Sequence, residues 1–312
     1  MNKRIYWIDW LKVFTMILVV YAHICNSLLV TIIFSFHMPL FLFISGFLHK
    51  QRSFKDELRV TFKSLIIPYF ILTFAFLAIN LDVNLKDYFY TLLCSLEQTP
   101  YYIRPMWFVY SLAVIRIVVS ALKSLNRCII LSLLLIVLFS VTYKMGIIPR
   151  DKDLFQMNTI MLSFPYFVLG KTVAQKDLLS LLKRIPLWAI WIIGLPFVYL
   201  AVKNGRVNLF KCDCGASLLL FFLNSIALTF VVFMTFAKME VFNRFNYYVE
   251  IMSKGMIIIL AYHLTAFALC LRFIDNNTIL GSLFITAIIM FIGFFLSQFC
   301  WKRFPILFGK KR

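Results

Sequence analysis

The chain has 312 residues, of which 62% are hydrophobic, 18% aromatic and only 14% charged. Soluble domains run near half apolar and a quarter charged, so this composition excludes a disordered, fibrous or ordinary soluble globular protein. The formal charge of +19 would suit nucleic acid in a soluble chain. However, no DNA- or RNA-binding motif is present, and the basic residues sit in short loops between apolar runs, where membrane topology and lipid contact account for them.

In chain order, apolar runs of bilayer-crossing length predict about ten helices, over 10–29, 33–49, 65–81, 106–122, 128–143, 158–173, 186–202, 214–237, 255–271 and 279–300. The first two are fused into one stretch too long for a single crossing. Pro39 favours the start of a new helix there, because proline is tolerated in a first turn. No small-residue cleavage site follows the first run, so a removable signal peptide is not expected. No internal repeat and no Pro/Gly/Ser-rich linker is visible. The expected architecture is therefore all-α: a polytopic transmembrane helical bundle forming one integral-membrane domain over 1–312, with no additional soluble domain.

Lys and Arg collect at the N-terminus and in the loops near 50–63, 123–127, 171–184, 238–254 and 302–312. The opposite side keeps Lys86, Arg104, Lys144, Arg150, Lys152, Lys203, Arg206, Lys211 and Arg272. By the positive-inside rule both termini face the cytoplasm, and the expected location is the inner (cytoplasmic) cell membrane. Five of the seven cysteines lie in or near apolar segments and behave as small hydrophobes. Cys212 and Cys214 form a lone C-x-C without a matching His or second pair, so neither a metal nor a disulfide framework is assigned.

Ionisable groups inside a membrane are costly and suggest function by default. Lys12 and His23 stand eleven residues apart, close to three helical turns, which puts them on one face about 16 Å apart. Asn26 continues that face and Thr15 lies near it. A cation at one mouth and an imidazole in the outer half would then line one polar seam. The structural alternative is that Lys12 snorkels or pairs with Asp9 while His23 bonds a neighbouring helix. His37, just before the helix start expected at Pro39, should lie near the outer face at a depth similar to His23, as a catalytic or an interfacial structural histidine. Ser45-Gly46 reads as a close helix contact. Arg116, about ten residues into its span, could contact an acyl donor, stabilise reaction charge or snorkel inward. Trp107 could form a substrate wall or belong to an interfacial aromatic belt.

These residues carry a resemblance. Ile8-Asp9-Trp10-Leu11-Lys12, then His23, then His37-Met38-Pro39-Leu40-Phe41 and Ser45-Gly46-Phe47 resemble the membrane acyltransferase family 3. Leu65-Ile66-Ile67-Pro68-Tyr69, Pro105-Met106-Trp107-Phe108 and Phe164-Pro165-Tyr166-Phe167-Val168-Leu169-Gly170 extend the likeness over nearly the whole chain. The pattern is most similar to the sugar O-acetylase branch, whose members resemble fucose 4-O-acetylases. Lys12 stands where that family more commonly has Arg, which keeps the charge and loses the bidentate fork. Ser253-Lys254-Gly255-Met256 departs from the family pattern ahead of His263, which remains a candidate substrate contact. No extracytoplasmic hydrolase-like extension is expected.

The resemblance implies an O-acyltransferase that moves an acyl group, acetyl being favoured, from acyl-CoA to a hydroxyl of a cell-envelope or exported glycan or of a lipid-linked sugar. His23 would be the general base and His37 a second catalytic candidate. Lys12, Arg59, Lys63 and Arg116 would bind the donor, while Asn26, Trp107 and His263 would contact the acceptor. Acyl-CoA is the expected co-substrate, with no metal, and membrane lipids rather than nucleic acid are the expected surroundings. The competing reading is a proton-coupled or solute transporter built on the same intramembrane His and Arg.

Overall fold

The computed structural model describes residues 4–79, 83–95, 99–147, 153–239, 243–276 and 278–309. Among them the regular structure is helical, apart from one isolated bridge between Asn208 and Asp213. The chain opens with α1 (Tyr6–Ile24) and α2 (Leu28–Phe47). Next, α3 (Phe54–Thr61) runs through a π turn into α4 (Ile67–Ile79), followed by the short α5 (Leu85–Leu92). A 3-10 segment, Tyr101–Met106, leads into α6 (Trp107–Leu122); α7 (Leu125–Lys144), α8 (Met157–Gln175), α9 (Leu178–Leu182) and α10 (Leu187–Asn204) follow. The last part comprises α11 (Leu218–Lys238), α12 (Asn246–Lys254), α13 (Met256–Cys270) and α14 (Ile279–Arg303).

Among the described residues eight helices are long and apolar enough to cross a membrane, or nine if α12 and α13, bent by 77°, form one broken span. This is a multi-pass membrane protein by its helices. The expected span at 255–271 counts only together with α12 as a broken span, and the one at 158–173 is not apolar enough to count, although it is helical. Its polar residues explain the difference: Thr159, Ser163 and Lys171 are buried against protein, and the Tyr166 hydroxyl bonds Ser225 of α11 at 2.6 Å. A helix enclosed by other helices need not match lipid.

The first turn corrects the sequence reading. The break between the opening helices lies at Cys25-Asn26-Ser27, and Pro39 sits inside α2 rather than at its start. Asn276 Nδ2 donates to Ile24 O at 2.8 Å, pairing one carbonyl that the end of α1 leaves free. Pro39 is buried within α2, and proline is more frequent inside membrane-spanning helices than in soluble ones. His37 consequently lies within α2, not ahead of it.

Contacts define two faces. Arg4 reaches Glu250 of α12 at 3.3 Å, so the starts of α1 and α12 share one face, called here the N-terminal face. The Asn276–Ile24 bond brings the end of α1 and the α13–α14 connection to the opposite, far face.

The closest helix crossing joins α2 to α8. A Cβ added to Gly46 would lie 1.9 Å from the Phe167 carbonyl oxygen, and one added to Gly170 would lie 1.9 Å from that of Phe43. Each glycine thus leaves room for the other helix's backbone, as small residues do at membrane helix interfaces. Phe43, held here, also meets Phe233 of α11 edge-on at 4.8 Å, and Phe233 meets Trp7 of α1 at 5.2 Å. Because the clash falls on backbone, Gly46→Ala should destabilise the protein by about 1–3 kcal/mol. A thermal melt of purified protein in detergent should show a lowered midpoint, and an unchanged one would remove this crossing as the packing constraint.

Candidate active site

Two cavities meet between α1, α2, α6 and α13. The inner one, about 240 Å³, is lined by Lys12, Met16, Ser45, Phe41, Phe108, Ser253 and neighbouring apolar side chains. The far one, about 320 Å³, is lined by His23, His37, Arg104, Trp107, Arg206 and Lys211 among others. Val19, Met38 and Leu260 line both, so the two cavities adjoin at these three side chains.

The histidines arrive there through helix geometry. His23 Nδ1 lies 2.8 Å from Val19 O, and His37 Nδ1 lies 2.8 Å from Ile33 O. A carbonyl oxygen only accepts, so each Nδ1 carries the proton and donates one turn back along its own helix. That fixes the tautomer and leaves each Nε2 with a free lone pair, the form a general base requires. The Phe34 ring stands between them, 5.7 Å from His23 and 5.1 Å from His37. His263 is fully packed behind His23, edge-on at 5.2 Å. Its Nδ1 donates to Leu260 O at 2.9 Å, and its buried Nε2 has no partner.

Lys12 faces the inner cavity, half-buried. Among the described residues no ion pair joins Lys12 to Asp9, which is held at 2.6 Å by Arg4 and at 2.5 Å by the Ser253 hydroxyl, although its charge still acts on Lys12. Trp107 lines the far cavity and stacks on Phe210 at 5.8 Å. Asn26 is exposed in the α1–α2 turn and lines neither cavity. Arg59 and Lys63 line neither as well, and Arg59 is exposed on α3.

Arg116 is turned toward the N-terminal face. Its Nη2 and Nε bind Glu57 Oε1 at 2.6 and 2.8 Å, while Arg52 holds Oε2 at 2.9 Å. The Glu57 side chain has no solvent exposure and also accepts from Thr61 at 3.1 Å. His49 lies 3.6 Å away, and Lys171 donates to its Nδ1 at 3.2 Å. This network ties α3, α6 and α8 together. Breaking a buried pair costs about 3–5 kcal/mol, and the partial exposure of both arginines favours the lower end. Glu57→Ala should therefore lower the melting temperature clearly, whereas Arg59→Ala should leave it unchanged; equal melts would show that the network does not hold the fold.

The far cavity includes residues the sequence reading assigns only to topology. Arg104 comes from the 3-10 segment, and Arg206 and Lys211 from the loop between α10 and α11. That loop is an ordered cap: Asn204 Nδ2 donates to Cys214 O at 2.8 Å, its Oδ1 accepts from Ser217 N at 2.8 Å, and the Thr159 hydroxyl reaches Phe210 O at 3.2 Å. Cys214 is buried within it, and burial pushes its thiol up to about 12, which suits a packing role rather than a thiolate ligand. Among the described residues no group of three or more His, Cys, Asp or Glu gathers as for a metal. The one signal in the sequence was the persistence of these cations on the sparsely basic side.

Residues 5–302 match the acyltransferase family 3, described as an acyltransferase domain. The chain belongs to this family. No curated protein and no solved structure matches it.

Proposed function

We propose that this membrane acyltransferase moves a short acyl group, acetyl being favoured, from acyl-CoA to a hydroxyl of an envelope or exported glycan, with His23 as general base. The observation that carries this reading is the pair of cavities sharing Val19, Met38 and Leu260, with an ammonium that has no ion pair among the described residues in one and an imidazole Nε2 lone pair in the other. With the N-terminal face in the cytoplasm, as the basic loops indicate, the donor comes from the Lys12 side. Lys12 attracts its negative charge, and the largely apolar inner cavity suits the pantetheine arm and thioester. The acceptor occupies the far cavity.

His23 Nε2 takes the proton of the acceptor hydroxyl as its oxygen attacks the thioester carbonyl. The tetrahedral intermediate collapses, the C–S bond breaks, and the thiolate leaves and takes up the proton held by the imidazolium. Thiols have a pKa of about 8.5, so this departure needs little acid help. His37 offers a second Nε2 to the acceptor. The transporter reading uses the same side chains, but family membership favours group transfer.

His23→Ala should reduce acyl transfer by roughly 10²–10⁴-fold without altering the melting temperature; thiol release from acetyl-CoA in the presence of a glycan acceptor gives the readout. Near-normal turnover in folded variant protein would end the assignment. Lys12→Ala should chiefly raise the KM for acyl-CoA, while Lys12→Arg retains most of the donor use. If the two variants behave alike, Lys12 does not act by its charge.

A further inference from the structure

Resting on the reading just given, we propose that the acceptor is anionic: a sugar bearing a carboxylate or phosphate, whose charge is held by Arg104, Arg206 and Lys211 while its hydroxyl meets His23. All three cations line the far cavity, and no Asp or Glu among the described residues does. The nearest carboxylate in the capping loop, Asp213, closes its own turn by accepting from Gly215 N at 3.1 Å. None of the three cations belongs to an ion pair among the described residues.

Their remaining contacts leave the charges available. Among the described residues Arg104 donates from Nε to Thr99 O at 3.1 Å and its guanidinium lies 6.0 Å from the centre of the Tyr101 ring, contacts that leave its two terminal nitrogens for a fork-like contact. The Arg206 guanidinium lies 4.5 Å from the centre of the Phe34 ring, a contact that orients a cation without neutralising it. Three like charges around one cavity are mutually unfavourable, and an anion bound among them relieves that repulsion. Because Arg206 and Lys211 sit on a loop pinned by Asn204 and Thr159, much of the ordering cost of such a site is already met. Trp107 stacked on Phe210 gives the same cavity an apolar wall suited to a sugar ring.

The donor's phosphates are a distinct source of negative charge, and they approach from the Lys12 side. The test therefore separates donor from acceptor. Purified full-length protein in detergent is titrated with millimolar glucuronate, glucose 1-phosphate and neutral methyl glucoside, with binding followed by thermal shift. The wild type should be stabilised by at least one anionic probe and not by the neutral one; which anion acts distinguishes a uronic acid from a sugar phosphate. Arg206→Gln and Lys211→Gln, both at exposed residues, should each weaken anion binding by roughly ten- to a hundredfold, and Arg206→Lys should recover part of it. Acetyl-CoA binding, measured in the same variants, should persist. The proposal is overturned if no anion binds, if the neutral sugar binds equally, or if anion binding survives both Gln substitutions. It is also overturned if acetyl-CoA binding collapses with them, since the cations would then serve the donor while the acyltransferase reading stands. If His23→Ala retains turnover, that reading fails instead, and the anion titration still reports on its own.

Discussion

The crossing of α2 on α8 is the contact on which the site geometry depends. In a bilayer the hydrophobic effect does not press helices together, so close association needs surfaces that fit. Gly46 and Gly170 provide that fit reciprocally, each opposite a backbone carbonyl of the other helix. With α2 fixed in this way, His37 and Met38 are placed on the cavities, and Phe43 is placed against Phe233. The polarity of α8 follows from the same arrangement, since a helix enclosed by protein can carry Thr159, Ser163 and Lys171.

The ionised groups divide into two sets with different physics. At the N-terminal face, Arg52 and Arg116 converge on the fully buried Glu57, and charge is compensated inside the protein. Around the cavities, Lys12, Arg104, Arg206 and Lys211 have no carboxylate partner among the described residues. Compensated charge holds helices together, whereas uncompensated charge beside a cavity is what a ligand of opposite sign can use. Arg116 shows why an arginine within a membrane span does not by itself mark a catalytic centre. Its guanidinium serves the junction of α3 and α6.

The histidines show how far local sequence carries. Lys12 and His23 on one helix face follow from the 3.6-residue period, and both do line cavities. Asn26 was expected to extend that face, yet α1 ends at Ile24 and the asparagine is exposed in the turn. His37 was expected ahead of a helix start at Pro39, a local rule that the burial of α2 overrides. His263, where the sequence departs from the family pattern, does reach His23, the two rings meeting at 5.2 Å in a T-shaped contact.

The sequence alone determined the helical, membrane-spanning character, the approximate positions of the spans and the shared face of Lys12 and His23. These depend on hydropathy and helical period, which are properties of neighbouring residues. Tertiary structure alone decided that Arg116 meets Glu57, that the two cavities have three lining residues in common, and that Arg104, Arg206 and Lys211 line one chamber. Those outcomes join residues many turns apart in the chain, and they are set by which helices can approach closely enough to pack.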